Sequence, residues 1–404
     1  MHKPLEGIRI LEWGTFHAGP GGNAILGDLG AEVIKIEQPH VGDPIRHQKR
    51  FGHASFELPG ERSLFFEASN RNKKGITLNL NSKEGREIAY RLVSKSDVFL
   101  TNFRQNIVEK MQMTYPILSQ LNSRLIYASI SAYGSRGPDS NRGGFDYQGQ
   151  ARSGFMFCIG EAGMPPLVSH FGIIDQATAI MVSHAIVTSL LMRERFGVGQ
   201  EIHVSLLGSA LYLQYINVLN ALWLKQEVPR HERSDTDPLR NYYQCQDGKW
   251  LSMAFPQHWE HMWTAFCQAL GHTELQHDPR FDNREGRLNN CKELISIFDE
   301  IFATEPRHKW LEVLANYDLI CCPVNTTLDL EHDPQIVENE YIVDFDHPTL
   351  GKVKIPGFPV QFNGARVETR SFGPSLGEHT TEVLTSIGDY TEEEVKQFEE
   401  QGIT

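Results

Sequence analysis

One carboxylate, Asp175, interrupts an otherwise apolar stretch of the sequence, HFGIIDQATAIMVSHAIVTSLLMRERFG. The segment from Ala177 to Leu191 is rich in Ala, Ile, Val, Met and Leu, which predicts a helix buried on most of its circumference. A carboxylate at a helix start is most often an N-cap, whose oxygen accepts hydrogen bonds from backbone N–H groups of the first turn. In a partly desolvated cleft, the same carboxylate is also suited to act as a nucleophile. Both interpretations of Asp175 fit the sequence at this point.

Basic and amide side chains form two further groups that could bind a ligand. NRNKK, Asn70 to Lys74, precedes a strand-like segment, and NFRQNIVEKM, Asn102 to Met111, follows another. On loops at one end of a parallel sheet, such side chains could hold a phosphorylated ligand, or they could be solvated surface. His17 could donate to a bound carbonyl group, or lie on the surface without a role.

A nicotinamide-dinucleotide site is an alternative use of the N-terminal region, because GPGGNA matches the pattern G-x-G-x-x-A and Glu37 ends the next strand. In that fingerprint the first glycine directly follows its strand, so that the helix N-terminus points at the pyrophosphate. Here the four residues from Thr15 to Ala18 separate the strand end at Gly14 from Gly19. The spacing therefore argues against NAD as a cofactor.

The elements that would position these residues alternate between strand and helix patterns. Strands are predicted at GIRILEW, AEVIKIEQP, KKGITLNL, DVFLTNF and RLIYASISAYG, and helices at GPGGNAILGDLG, SKEGREIAYRLVSKS, which Ser82 begins, and YPILSQLNS. This alternation predicts an α/β fold with a mostly parallel, doubly wound sheet. Such sheets bind ligands beyond the carboxyl ends of their strands, so the site is expected in the loops after Trp13, Glu37, Asn102 and Tyr133.

The chain changes character after about residue 240. A hairpin is predicted around Asp247-Gly248, followed by helical segments near 257–270, 284–304 and 307–316. This part of the sequence predicts a smaller α+β domain.

The composition excludes several classes of protein. The 404 residues include 38 Lys and Arg against 51 Asp and Glu, a formal net charge of -13, so broad contact with a nucleic-acid backbone is not expected. Neither a signal peptide nor an uninterrupted apolar run of transmembrane length is predicted, which indicates a cytoplasmic protein that does not enter a membrane. Six scattered cysteines without a C-x-x-C pair argue against a metal site, a redox motif or disulfide bonds.

Taken together, these residues resemble the class III CoA-transferase family, which includes formyl-CoA transferase, carnitine CoA-transferase and the α-methylacyl-CoA racemases. The resemblance keeps the family order over nearly the whole chain. The matching segments are PLEGIRILEW with AGP, LGAEVIKIEQP with GDPIR, NRNKKGITLNL, DVFLTNFR, YASISAYG, GIIDQ, GQEIHVSL, DPRFDNREGR, CCPVN and LGEHT.

The resemblance implies a large Rossmann-like domain, a smaller α+β domain and a homodimer of two interlocked subunits. The large domain would comprise residues 1–200, completed by 360–404, and the small domain residues 241–322. Residues 201–240 would form a linker, and residues 323–359 would form the linker that returns to the large domain.

The resemblance also assigns a chemistry, in which coenzyme A passes from an acyl-CoA to a small carboxylic acid without a metal. Asp175 would attack the thioester to give a mixed anhydride and free CoA, and the CoA thiolate would return to form an aspartyl-CoA thioester, which the acceptor acid attacks. A site at a helix N-terminus that excludes water would keep Asp175 ionised and protect the anhydride, and nearby backbone N–H groups would stabilise the oxyanion.

Residues that match the CoA pocket of relatives are the candidates for cofactor binding. They are His17, Ala18, Leu78, Asn102, Phe103, Arg104, Lys110 and Met111. Gln38 is included, although it stands where some relatives carry an Arg that contacts CoA. Asn81 likewise stands where some relatives carry a Lys. The positive charge that binds the CoA phosphates is therefore expected on other cations, Lys73, Lys74 and Lys110.

An acyl-CoA racemase or isomerase of the same fold is the alternative activity. In GGFDY, Phe145 takes the place of a His that the racemases need as a base, so two-base proton transfer loses its machinery. Phe145, Asp146 and Tyr147 are instead expected to line the substrate site. The glycine-rich loop of oxalate-handling relatives is missing between Pro229 and Tyr242, which disfavours oxalate. The apolar segment GFMFCIG points to a bulky or hydrophobic acyl group, and the sequence identifies neither acid further.

Overall fold

The computed structural model describes residues 2–256 and 260–404 of the chain. The chain divides into two compact units. The first consists of Met1–Met156, Leu167–Glu227 and Asn339–Thr404, and the second of Phe157–Pro166 and Val228–Glu338. The first unit is thus assembled from three separate parts of the sequence.

The first unit contains a six-stranded parallel sheet, which confirms the predicted α/β fold with a doubly wound sheet. With all strands numbered in chain order, its spatial order is β10-β9-β8-β1-β2-β7. Its strands are β1 Arg9–Trp13, β2 Glu32–Glu37, β7 Lys73–Thr77, β8 Val98–Thr101, β9 Ile126–Ser131 and β10 Gln200–Ser205. The order reverses between β1 and β8, and doubly wound sheets bind ligands in the crevice at such a switch point.

Helices of the first unit connect these strands and cover the sheet. They are α1 Ala18–Asp28, α2 Leu64–Asn70, α3 Lys83–Ser94, α4 Gln105–Lys110, α5 Tyr115–Leu121, α6 Asp146–Arg152, α7 Ile173–Phe196, α8 Leu206–Leu213, α9 Tyr215–Leu219, α15 Thr380–Ser386 and α16 Glu392–Glu400. The predictions of α1, α3 and α5 are confirmed. Ser82 begins α3 as predicted, because its Oγ accepts a hydrogen bond of 3.0 Å from the N–H of Gly85.

The strands are apolar runs because helices cover both faces of the sheet. Neighbouring residues of β1 point to opposite faces, and the side chains of Ile10 and Leu11 are both fully buried. Ile10 packs in a core cluster that includes residues of α1 and α7, and Leu11 in one that includes residues of α3, α15 and α16. The sheet is therefore a rigid platform for the loops at its carboxyl edge.

Short elements complete the first unit. Its antiparallel pairs are β3 Arg50–Phe51 with β4 Ala54–Ser55, β5 Glu57–Leu58 with β6 Arg62–Ser63, and β14 Ile342–His347 with β15 Gly351–Pro356. A 3-10 turn spans Pro44–His47, and a π-helical turn spans Asn220–Leu224.

The second unit combines a three-stranded antiparallel sheet with helices around a core that includes Tyr243, Phe266 and Phe298. Its elements are β11 Tyr242–Gln244, β12 Trp250–Met253, β13 Cys321–Val324, α10 Glu260–Leu270, α11 Arg284–Asn289, α12 Cys291–Phe302, α13 Arg307–Asn316 and α14 Pro334–Glu338. The hairpin predicted around Asp247-Gly248 is present as the β11–β12 pair. Residues 257–259 of the helix predicted at 257–270 lie outside the described residues.

The domain limits drawn from the sequence stay a prediction, and the structure adds detail to them. The segment 201–240 contains most of β10, which pairs with β9 along Gln200–Ser205 and so belongs to the large sheet. The segment 323–359 contains α14 and the β14–β15 hairpin. Both segments predicted as linkers therefore hold regular elements.

Helix α7, which carries Asp175, is less buried than the sequence suggests. Ile180, Val187 and Leu191 on its outer side are 55, 39 and 58% exposed. The prediction that this helix is buried on most of its circumference is wrong, because only its inner side packs against the rest of the first unit. Among the described helices, α7 alone has the length and composition to cross a membrane, a property that core helices of soluble proteins share.

Glycine at position 22 lets α1 approach α7 closely. A Cβ at this position would lie 2.3 Å from Val182 Cγ1 and 3.0 Å from the carbonyl oxygen of Ala179. We expect Gly22→Ala to destabilise the protein, because overpacking costs about 1–3 kcal/mol and exceeds the gain of up to about 1 kcal/mol in helix propensity. Thermal unfolding monitored by circular dichroism measures the resulting fall in Tm.

Gly364→Ala is the matched control, because its Cβ would meet no atom within 4 Å. This variant should keep the Tm of the unmodified protein. An unchanged Tm for Gly22→Ala as well would contradict the close packing of α1 on α7.

Candidate active site

A cavity of about 1140 Å³ opens at the switch point of the sheet. The loop after β1 contributes Thr15 and Phe16 to its wall, and the loop after β8 contributes Asn102 and Phe103. Asp175, from the first turn of α7, also lines it. Of the four loops in which the doubly wound pattern predicts the site, those after Trp13, Asn102 and Tyr133 line this cavity, and the loop after Glu37 does not.

Asn102 joins the two loops that form the cavity. Its Oδ1 accepts a hydrogen bond of 2.9 Å from the N–H of Thr15, and its Nδ2 donates one of 2.6 Å to the carbonyl oxygen of Thr15. A Cβ at position 14 would lie 3.1 Å from Asn102 Oδ1, so Gly14 leaves the space that this pairing needs. Asn102 thus acts on the site through the backbone that it holds.

A buried group of charges fixes the same loop from below. Lys35 Nζ donates a hydrogen bond of 2.8 Å to the carbonyl oxygen of Gly14 and forms an ion pair of 2.9 Å with Asp43 Oδ2. Asp43 Oδ1 accepts a hydrogen bond of 3.1 Å from the N–H of Phe16, whose φ of 60° is in the left-handed region. Burial opposes the charge of Lys35, but the carboxylates of Asp43, Glu12 and Glu37 raise its pKa, so it stays ionised.

Asp175 is not the N-cap of α7. It is the third residue of the helix, and the backbone N–H groups of Ile174 and Asp175 donate to Asp146 Oδ2 at 2.7 and 3.0 Å. Asp146 is itself buried and bonded to the side chain of Gln150, which also donates a hydrogen bond of 2.8 Å to the carbonyl oxygen of Ser169. Because Asp146 occupies the helix N-terminus, the carboxyl group of Asp175 is left for the cavity.

The protonation of Asp175 differs from the expectation of a permanently ionised carboxylate. Burial, together with the negative charge of Asp146, raises the pKa of Asp175 to about 7. The helix N-terminus would lower this pKa, but Asp146 already neutralises part of that field. Asp175 is therefore a carboxyl group that is partly protonated at neutral pH.

His17 connects the beginnings of α1 and α7. Its Nδ1 lies 2.7 Å from Ser69 Oγ, and its Nε2 lies 2.8 Å from Oε1 of Gln176, the residue after Asp175. Burial lowers the pKa of His17, and the positive charges of Arg71 and Lys73 lower it further, so the imidazole is neutral at pH 7. Both ring nitrogens face protein groups, which gives His17 a contact with the segment that carries Asp175.

The structure brings only some of the predicted site residues to the cavity. Those that line it are Ala18, Asn102, Phe103, Arg104, Phe145 and Asp175. Gln38 and Lys110 are exposed elsewhere on the surface, and Leu78 and Met111 pack in or against a core cluster. Tyr147 contacts Phe51, with 6.3 Å between the ring centroids. Contact of these residues with CoA stays a prediction.

Two of the three lysines proposed to carry phosphate-binding charge have other partners. Lys73 Nζ is buried, 2.8 Å from Glu12 Oε2 and 3.0 Å from Asn70 Oδ1. Burial lowers its pKa to about 7 against the opposing effect of Glu12. Lys74 Nζ lies 2.9 Å from carboxylates of both Glu32 and Glu382. Neither ammonium group lines the cavity.

Sequence reasoning missed several polar residues of the cavity wall. Arg142 lines the cavity together with Arg104, and Ser129, Glu201 and His203 line it at β9 and β10. Ser129 Oγ lies 2.5 Å from His203 Nδ1, because the two residues are paired in the register of the sheet. Alternation along β9 and β10 could have placed these side chains on one face, but the pairing of the strands was needed to join them.

Clusters of His, Cys, Asp and Glu that could hold a metal are not found in the described part of the chain. Among the described residues, Cys245, Cys267, Cys291, Cys321 and Cys322 form no disulfide bond.

Comparison with known proteins identifies the chain's relatives. It is 31% identical over 403 residues to the (R)-2-hydroxy-4-methylpentanoate CoA-transferase of Clostridioides difficile, which covers 99% of each chain. It is also 31% identical over 399 residues to the succinyl-CoA:glutarate CoA-transferase of Mus musculus, covering 98% of this chain and 89% of that protein.

A solved structure shares the whole fold. The crystal structure of a CAIB/BAIF family protein from Brucella suis superposes with a TM-score of 0.85 at 29% identity, over 96% of this chain and 100% of that one. Residues 5–380 match the sequence profile of CoA-transferase family III. With the six-stranded sheet and the cavity at its switch point, this match shows that the chain belongs to CoA-transferase family III.

Proposed function

We propose that this protein transfers CoA from an acyl-CoA donor to a carboxylic acid acceptor, with Asp175 as the nucleophile. An Asp175 oxygen attacks the thioester carbonyl carbon, the carbon–sulfur bond breaks, and a mixed anhydride and CoA thiolate result. The thiolate then attacks the aspartyl carbonyl of the anhydride, which releases the donor acid and leaves an aspartyl-CoA thioester.

The second half of the reaction reverses these steps with the acceptor acid. The acceptor carboxylate attacks the aspartyl thioester and again gives an anhydride and CoA thiolate. The thiolate attacks the acceptor's acyl carbon, so that the new acyl-CoA forms and the Asp175 carboxylate is restored. Over the full cycle one acyl-CoA thioester is broken and one is formed, so the reaction needs no metal or redox cofactor.

The observation that carries this proposal is that Asp146, and not Asp175, caps α7. A capping carboxylate would be bound to the backbone and unavailable for attack. The raised pKa of Asp175 makes its ionised form more basic than an ordinary carboxylate, and basicity favours nucleophilic attack. Water exclusion in the cavity would protect the anhydride until the thiolate returns.

The cavity at the switch point is the proposed place of the CoA thioester. Phe103 forms one wall and is fixed by Trp13, with 4.4 Å between the ring centroids. Arg104 and Arg142 both line the cavity, and Arg142 is paired with Asp139 at 3.1 Å. Arg104 therefore supplies the positive charge that an anionic coenzyme needs in a protein of net charge -13. The named relatives act on acids as different as a branched hydroxy acid and glutarate, so membership of the family leaves the acids open.

We also propose that two copies of the chain form a homodimer that works in the cytoplasm. The segment from α8 to the π-helical turn exposes several large apolar side chains, with Tyr212, Ile216, Trp223 and Leu224 between 63 and 81% exposed. Exposed apolar surface of this kind usually marks an interface. An interlocked arrangement would bury this segment against the second copy.

The first prediction of the proposed function concerns the nucleophile, Asp175. We expect Asp175→Asn to lower the rate of CoA transfer about a thousandfold or more, because the amide cannot form the anhydride. Hydroxylamine added with acyl-CoA should convert residue 175 of the unmodified enzyme to a hydroxamate, detected by peptide mass spectrometry. The circular dichroism spectrum of the variant should be unchanged.

Asp282→Asn, on the surface of the second unit, is the control and should keep full activity and the hydroxamate. Normal turnover by Asp175→Asn would rule out the proposed mechanism. Exchange of the α-proton of the acyl-CoA in deuterated water, without an acceptor acid, would instead favour a racemase.

The second prediction concerns pH. Since only ionised Asp175 can attack, kcat/KM should fall as the pH is lowered through about 7. Asp146→Asn removes a negative charge that raises this pKa, so the acidic limb of the profile should move to lower pH. Glu201→Gln, which changes another acid of the cavity wall, should leave the limb in place. An acidic limb that Asp146→Asn does not move would contradict the coupling of the two carboxyl groups.

The third prediction concerns the dimer. Introducing charge through Ile216→Glu together with Trp223→Glu should convert the dimer to monomers in sedimentation velocity experiments, because a buried unpaired carboxylate is costly. Leu328→Glu changes a side chain in the second unit that is 83% exposed and should leave the dimer intact. A monomeric unmodified protein, or a dimer that survives both glutamates, would argue against this interface.

A further inference from the structure

A cluster of aromatic rings lies beside Asp175 and is not part of the cavity wall described above. Phe171 is at its centre, with 5.8, 5.2 and 6.5 Å between its ring centroid and those of Phe51, Phe56 and Phe65. His170 and Tyr147 extend the cluster, each 6.3 Å from Phe51. We call this group of six rings the aromatic cluster.

The backbone ties the aromatic cluster to the nucleophile at two points. Phe171 and Gly172 both have left-handed conformations, with φ of 62° and 74°, and turn the chain sharply into α7. A Cβ at position 172 would lie 3.8 Å from Asp175 Oδ2, so the turn passes directly by the carboxyl group. Tyr147 follows Asp146, which binds the N–H of Asp175. The central ring of the aromatic cluster therefore belongs to the residue next to Gly172, whose backbone lies beside the Asp175 carboxyl group.

The rings of the aromatic cluster do not bury one another completely. Phe51 is 39% exposed and Phe171 is 57% exposed, although both are large apolar side chains. Covering a ring with an apolar group favours binding by about 25 cal/mol for each Å² of apolar surface removed from water. The aromatic cluster thus has free surface that favours an apolar occupant.

Three cations of the chain segment that carries Phe51 and Phe56 are paired with protein carboxylates. Arg46 forms an ion pair of 2.7 Å with Glu37, Lys49 forms one of 3.0 Å with Glu57, and Arg62 is paired with Glu67. Arg50 adjoins Phe51 in β3, and neighbouring residues of a strand point to opposite faces. A second carboxylate on the substrate would lose hydration beside the four phenyl rings of the aromatic cluster, which is unfavourable.

We propose that the aromatic cluster binds the acyl group, and that the substrates are monocarboxylic acids with an aromatic or branched apolar side group instead of dicarboxylic acids. This inference rests on the proposed function, since it takes Asp175 as the point where the acyl group is attached. It identifies a substrate class through the chemistry of the rings and the pairing of these three cations.

The test compares two donors of similar length, 3-phenylpropanoyl-CoA and glutaryl-CoA, with acetate as the common acceptor. The unmodified enzyme should have the higher kcat/KM for the phenylpropanoyl donor. Phe171→Ala should lower that preference about tenfold, because it removes the central ring of the aromatic cluster and its contacts with an aromatic acyl group. Phe362→Ala, which removes an exposed ring that contacts Phe358, is the matched control and should leave the preference unchanged.

Trapping with propanoyl-CoA and hydroxylamine separates the two levels of the proposal, because this small acyl group does not need the aromatic cluster. A hydroxamate at residue 175 together with a preference for glutaryl-CoA, or with a preference that Phe171→Ala does not change, would overturn the substrate class while the transferase mechanism stands. Failure of all three thioesters to react at residue 175 would overturn both.

Discussion

Asp146 accepts hydrogen bonds from the backbone N–H groups of Ile174 and Asp175, and the site depends on this contact more than on any other. The N-terminus of a helix attracts the nearest carboxylate, because its N–H groups are unsatisfied and its dipole is positive. A carboxylate from the helix's own first turn would ordinarily fill that role. Because Asp146, from another helix, accepts these hydrogen bonds, the carboxyl oxygens of Asp175 are not bound to the helix backbone. Burial and the negative charge of Asp146 raise the pKa of Asp175.

The loops after β1 and β8, which line the same cavity as Asp175, are also fixed by hydrogen bonds and an ion pair. Asn102 binds both backbone groups of Thr15, and the Lys35–Asp43 ion pair binds the carbonyl oxygen of Gly14 and the N–H of Phe16. Buried ion pairs contribute little net stability once the cost of desolvation is counted, but they fix geometry. We interpret this group as the reason that a left-handed Phe16 is retained in the cavity wall.

Local patterns in the sequence were enough to predict the sheet. Strands buried on both sides are short apolar runs, and Ser82 marks a helix start, so β1, β2, β7, β8, β9 and α3 follow from neighbouring residues alone. Asp175 was predicted as a site residue and lines the cavity, but its pairing with Asp146 was not predicted. The bond between Asp146 and the N–H of Asp175 spans 29 residues, and no local pattern contains it.

The same limit explains the lysines. A sequence shows that Lys73 is a cation near a strand start. It does not show that Glu12, 61 residues earlier, lies two strands away in the sheet and pairs with its charge. Exposure was misjudged on α7 for a related reason. Apolar composition records that Ile180, Val187 and Leu191 avoid water, while the first unit alone does not cover them. Hydrophobicity indicates that a side chain needs a partner, and topology decides which partner it has.

The raised pKa of Asp175 also affects the stability of the folded protein. A carboxyl group whose pKa is higher in the folded protein than in the unfolded chain binds its proton more tightly when folded, so its contribution to stability is greatest below the unfolded value of 3.8 and falls as the pH rises towards about 7. At neutral pH the ionised fraction of Asp175 therefore opposes folding. The hydrogen bonds of Asp146 at the start of α7 offset part of this cost, because they stabilise the same helix turn. The helix turn that carries Asp175 is thus stabilised by the same residue, Asp146, that makes the charge of Asp175 unfavourable.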